Sequence, residues 1–209
     1  ALKEFIPHLK NDDSVSNGLV DSLKVEFTCG VYWIREFAKY GVSFKEILSP
    51  NCWTVTNEKN KPGLMTHYFY KPNETLKILA EATRTEIENV PLIYKKMDFS
   101  YDEIIGCCIP KEFYLIPNGA GRNALSIMHS GRSMLMEYKC RDNVMSGVSQ
   151  LMVALKLYKM KNGELPDKLD ALVPEYIDKI PIDDFDGKPL RYSKEKKIIY
   201  SVGEDLKDD

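Results

Sequence analysis

The chain has 209 residues, 44% hydrophobic and 29% charged, a balance that lets it bury an ordinary core as one generous domain or two small ones. Its 29 basic and 31 acidic residues leave a net charge of −2, without the basic excess of a nucleic-acid or anionic-membrane binder, so no nucleic-acid partner is expected. No window approaches the roughly 18–20 apolar residues of a membrane span.

The first residue is Ala1 rather than Met, which raises the expectation of a leader or anchor ahead of it. Cys29, Cys52, Cys107, Cys108 and Cys140 are irregularly spaced, and His8, His67 and His129 lie far apart, so no zinc pattern is present.

In chain order, residues 1–15 read as a polar lead-in. Leu19, Leu23, Phe27, Val31, Ile34 and Ala38 follow at steps of four and three, which predicts a helix from Asn17 to Tyr40 that Gly41 ends. A helical piece at 43–48, a strand-like "CWTVT" at 52–56 and an "NKPG" turn at 60–63 come next. Asn73 is expected to cap a second helix carrying Leu76, Leu79, Ala80, Thr83 and Ile87, with Pro91 closing it. Residues 98–110 read as a loop or helical turn, and "EFYLIP" at 112–117 as an extended segment.

Glycine-rich "NGAGRN" then opens the longest element, a helix expected from about 124 to 161. Val144, Val148, Leu151, Leu155 and Tyr158 form its apolar stripe, with Met145 and Met152 expected to widen it and Met134 and Tyr138 to extend it upstream. "KNG" at 161–163 is a helix stop. Beyond it, Asp167 and Asp170 suggest a capping box on a short helix ended by Pro174. Asp186-Gly187 marks a turn, and "PLRYS" and "KIIYSVG" pair as a hairpin across "KEKK".

This tail carries four words in order: "ALKLYKMKNGELP" (154–166), "LDALVP" (169–174), "DDFDGKPLRY" (183–192) and "YSVGEDLK" (200–207). In words and order, residues 144–209 resemble the C-terminal part of the major pseudopilin of type II secretion systems. The resemblance implies a small antiparallel sheet of pseudopilin-like type lying on the long helix. It also implies calcium in the loop after "YSVG", held by the carbonyl of Val202 and the carboxylate of Asp205, with Asp208 and Asp209 standing in for ligands that the family places later. Pseudopilins build filaments through a helix that starts at the mature N-terminus. Here about 120 other residues precede the module, so a filament subunit is not expected.

The expectation is an α+β protein. Residues 1–122 form a mostly helical region of unassigned role, and residues 123–209 a long helix with the pseudopilin-like module. Its expected role is that of a non-enzymatic, extracytoplasmic envelope protein, periplasmic or at the cell surface. It would have protein partners and a membrane anchor ahead of Ala1, and would act in interaction or assembly.

The alternative is an enzyme or small-ligand-binding protein with its site in the N-terminal region. Its sequence candidates are few. Gly119-Ala120-Gly121-Arg122-Asn123-Ala124 fits a dinucleotide-type GxGxxA, with Glu137 further on, but the strand–helix–strand setting is missing and a helix-opening turn explains the glycines. His129 lies near Ser126, Ser130 and Ser133 without a nucleophile-elbow motif. Glu86 and Glu88 fall on different sides of their helix, and Tyr68-Phe69-Tyr70 reads as packing.

Overall fold

The computed structural model of the protein describes residues 13–40, 68, 70–101, 117–129 and 132–208. Among these residues are helices α1 (Asp13–Tyr40), α2 (Pro72–Asn89), α3 (Gly119–His129) and α4 (Arg132–Asn162). Two 3₁₀ turns (Tyr94–Lys96 and Leu169–Leu172) and one antiparallel strand pair, β1 (Arg191–Ser193) with β2 (Ile198–Tyr200), complete the set. The protein is therefore mostly helical with a small two-stranded sheet. The expected piece at 43–48, the run at 52–56, the turn at 60–63 and residues 102–116 lie outside the described residues. No helix among the described residues is long and apolar enough to cross a membrane.

The chain divides into two compact units. One comprises Leu19–Val90 and Asp98–Ser133; the other comprises Pro91–Met97 and Met134–Asp209, together with Ala1–Gly18.

In the first unit, Ile34 of α1, Leu79 and Ala82 of α2, and Ala120 and Leu125 of α3 bury their side chains together with Tyr70 and Tyr101. Leu79 of α2 reaches Gly30 of α1, where a β-carbon would stand 2.9 Å from Leu79 Cδ2. The start of α2 differs from the expectation. Asn73 is not the cap: Lys71 precedes the helix without a side-chain cap, and Pro72 opens it, where a missing N–H costs nothing.

The capping acceptor comes from a distant turn. Asn118 Oδ1 accepts the Lys71 N–H (2.8 Å) and the Thr75 hydroxyl (3.0 Å). Asn118 is held at φ 61°, in the left-handed region that asparagine tolerates better than most residues, and its amide donates to the Tyr68 carbonyl (3.1 Å). Its own carbonyl accepts the Arg122 N–H (3.0 Å) and so starts α3. "NGAG" is thus a helix-opening turn, and it opens α3. Helical residues continue on either side of positions 130 and 131, which lie outside the described residues.

In the second unit α4 supplies the base. Its 31 residues span about 46 Å at 1.5 Å per residue. Cys140, Val144, Leu151, Ala154 and Leu155 face a core completed by Leu169, Leu172, Tyr176, Ile177, Phe185, Leu190 and Val202 from the tail. The helix ends at Gly163 (φ 83°), as "KNG" predicts. Pairing runs Arg191 to Tyr200, Tyr192 to Ile199 and Ser193 to Ile198, which is the expected hairpin. It approaches α4 at Gly147, where a β-carbon would meet Pro181 Cβ at 2.8 Å and Leu190 Cδ1 at 3.1 Å.

The capping box at 167–170 does not form. Lys168 precedes the 3₁₀ turn, and Asp167 instead accepts from Lys194 Nζ at 2.7 Å, a charged donor that outcompetes a backbone amide.

A β-carbon on Gly121 would overlap Thr75 Oγ1 and Asn118 Oδ1, the pair that joins α3 to the start of α2. Gly121→Ala is therefore expected to cost about 1–3 kcal/mol by overpacking, read as a lower midpoint in urea unfolding. A midpoint equal to that of the unaltered protein would contradict this packing.

Candidate functional site

The residues between Ile182 and Gly187 organise the second unit. Asp183 is fully buried, and its carboxylate is answered on every side. Oδ1 accepts from the Phe185 amide (3.1 Å) and the Ser201 hydroxyl (2.8 Å). Oδ2 accepts from the Val202 amide (3.0 Å) and Arg191 Nη1 (3.0 Å). The backbone of Asp183 closes the turn as well: its amide donates to the Lys188 carbonyl (2.7 Å), and its carbonyl accepts the Gly187 amide (2.8 Å), with Gly187 at φ 79°. One aspartate thereby ties the turn, β1 and the segment after β2 together.

Arg191 is the matching cation. Nη2 donates to Asp186 Oδ2 (2.7 Å), and Nε lies 3.4 Å from Asp208 Oδ2. Burial alone would raise the Asp186 pKa. The hydrogen bond and charge of Arg191, with the Lys188 amide, outweigh burial and hold the carboxyl below its ordinary value.

The neighbouring Asp184 faces α4. Its Oδ2 accepts from Lys139 Nζ (2.8 Å) and Asn143 Nδ2 (2.8 Å), while Lys139 also donates to the Leu92 carbonyl (2.9 Å). The backbone carbonyls of Asp184 and Phe185 accept the amides of Tyr94 (2.9 Å) and Lys95 (3.0 Å), which fixes the 91–97 segment. Beside this cluster the Cys140 thiol is pushed up to about 12, chiefly by burial and then by the charge of Asp184. A thiol in that state is a packing group, not a nucleophile.

The three residues expected to hold calcium are disposed as follows. Val202 is buried, with its amide committed to Asp183. Asp205 is exposed and accepts its own Lys207 amide (3.2 Å). Asp208 lies against Arg191. Calcium takes six to eight oxygens. Among the described residues no group of three or more His, Cys, Asp or Glu is gathered to hold a metal ion. The positive charges beside Asp183, Asp186 and Asp208 are the guanidinium of Arg191 and, 4.0 Å from Asp186, the ammonium of Lys188.

The other candidates separate. Glu86 is buried and Glu88 exposed, on different sides of α2 as their spacing predicts. The Ser126 hydroxyl donates to the Asn123 carbonyl at 3.1 Å, and the side chains of His129, Ser130 and Ser133 lie outside the described residues. Tyr70 is buried, with its hydroxyl donating to the Ile34 carbonyl (2.7 Å), whereas Tyr68 is exposed and Phe69 lies outside the described residues.

The largest correction concerns α4. Met134, Tyr138, Met145 and Met152 do not widen the core stripe; they retain between 49% and 62% of their surface, and Met160 retains 70%. Each residue turns the helix by about 100°, so Met145 stands one step round from Val144, and Met152 one step round from Leu151. That step takes each from the core to the open face. The helix fills the core with one side, and on the other it leaves these apolar side chains in water among Arg141, Asp142, Lys156 and Lys159. The signal was in the sequence: Tyr138, Met145 and Met152 recur every seven residues, offset from the row that holds Val144 and Leu151.

Arg191→Met is expected to lower stability by about 3–5 kcal/mol, because Asp183 would keep a buried charge without its counter-ion. Denaturant unfolding measures this, and a loss under about 1 kcal/mol would remove Arg191 from its central place. The acid response follows from Asp186. With the folded pKa depressed, its contribution is complete above the unfolded value of about 4 and is lost as pH falls through the folded value. Melting temperature should therefore fall as pH drops below about 4, and less steeply in Asp186→Asn; equal slopes in the two proteins would contradict the assignment. No protein-family model matches this chain, and no curated protein or solved structure matches it.

Proposed function

We propose that this chain is a non-enzymatic protein-docking module of the cell envelope, which engages a protein partner through the outer face of α4. The observation that carries the reading is the row Met134, Tyr138, Met145 and Met152, large apolar side chains left in water on a helix whose other face already fills a core. Burial of apolar surface contributes about 25 cal/mol per Å², so large apolar side chains exposed at this spacing favour a covered state, with Asp142, Ser149 and Lys156 set between them. Methionine suits such a face because its unbranched thioether adapts to the shape set against it.

The charges beside the row are of both signs. Glu137 and Arg141 pair with each other, and Asp142, Lys156 and Lys159 are exposed. A mixed rim favours a protein surface over a polyanion or an anionic bilayer. The pseudopilin-like order of the tail supports a place outside the cytoplasmic membrane and a role in assembly or secretion. This reading does not draw on calcium in the loop after β2.

A photo-reactive amino acid at position 145, compared with one at exposed Glu195 in the hairpin turn, tests the reading in the source cell. The expected result is a discrete protein adduct from position 145 in the membrane or extracytoplasmic fraction and none from position 195. The same adducts from both positions, or none from position 145, would discard the docking face.

A further inference from the structure

The apolar row on α4 has a pattern that specifies its partner. Tyr138, Met145 and Met152 stand seven residues apart, Met134 lies four before the first and Met160 eight after the last. From 134 to 160 the row runs about 39 Å along the helix at 1.5 Å per residue, one or two side chains wide. A long, narrow seam with a seven-residue repeat is the shape that a second helix covers, by inserting its own side chains between those of the first.

The charges point the same way. Asp142 lies toward the N-terminal half of the seam, and Lys156 and Lys159 lie toward its C-terminal half, all three exposed. A parallel pairing of two such helices would bring each of these charges beside its own copy. An antiparallel pairing brings opposite signs together. The midpoint of Asp142 and Lys156 is residue 149, and so is the midpoint of Tyr138 and Met160; that of Met145 and Met152 falls half a residue away. The charged pair and the Tyr138–Met160 pair thus share one register, which Met145 and Met152 fit to within half a residue. At its centre stands Ser149, a small residue whose hydroxyl already donates to the Met145 carbonyl (2.8 Å), so close approach there strands no donor.

We infer that the occupant of this face is a second copy of the chain, with two α4 helices packed antiparallel about a two-fold axis at Ser149. In this arrangement Met145 lies beside the partner's Met152, Tyr138 beside the partner's Met160, and Asp142 beside the partner's Lys156, each contact occurring twice. The inference rests on the docking reading above and adds the identity and orientation of the partner. A seam this narrow makes a small interface, so the dimer is a reversible one that forms with rising concentration.

Sedimentation equilibrium of the full chain over a wide concentration range tests it. The mass is expected to rise from 24.0 kDa toward twice that value. Asp142→Lys and Lys156→Asp should each weaken association about tenfold, since two ion pairs become like-charge contacts, and the double variant should recover it. Met145→Lys should leave a monomer with unchanged circular dichroism, because residue 145 supports no core.

A chain that stays monomeric at every concentration while position 145 still cross-links to a different protein overturns self-association and leaves the docking reading intact. Loss of both results discards both. A dimer that the single charge reversals leave unchanged, or that the double variant fails to restore, overturns the antiparallel register. Association with vesicles of anionic lipid that depends on Met145 would assign the face to a membrane and overturn the inference.

Discussion

A carboxylate sealed from water has to be answered within the protein, and the second unit is arranged around that requirement. Asp183 receives four donors: two backbone amides, one hydroxyl and one guanidinium. These come from the turn itself, from β1 and from the segment after β2, stretches that the hairpin pairing and the shared core also bring together. Apolar contact alone would hold the tail on α4 without fixing its register. The buried charge fixes the register, because any slip of the hairpin would leave it exposed to a low-dielectric surrounding with donors missing. Asp184 extends the same control to α4 and to residues 91–97, so two adjacent aspartates set the relation of three separate pieces of chain.

With the register fixed, α4 has one face committed and one free. The committed face is shaped by Gly147, whose missing side chain lets Pro181 and Leu190 approach the helix axis. The free face is apolar without being packed, which a core-forming helix does not require. That surplus is what the proposed docking rests on, and it lies apart from the loop after β2.

Much of the fold could be read from the sequence. The three-and-four spacing located α1 and α2, Gly163 and Gly187 marked chain reversals, and the alternation around "KEKK" gave the hairpin. What could not be read depended on partners distant in sequence. Asn73 has the chemistry of a cap, but the acceptor at the start of α2 is Asn118, 47 positions from Lys71. Asp167 was lost to a lysine 27 positions away. A stripe of spacings every three or four residues, widened by neighbours, encloses nearly the whole circumference of α4, so spacing alone does not separate its two faces. The pairing of Asp208 with Arg191 across 17 positions is likewise a tertiary fact.

The distance between Tyr94 and Asp184 also has a consequence in time. The two residues are hydrogen-bonded in the folded chain, yet they stand 90 positions apart. A ribosome adding about 5–20 residues per second makes the second roughly 5–20 s after the first. Throughout that interval the 91–97 segment has been synthesised and its acceptors have not. Residues 19–90 and 98–133 flank it and can condense with each other across it. The acceptors at Asp184 and Phe185 therefore reach this segment only after the chain on both sides of it has been made.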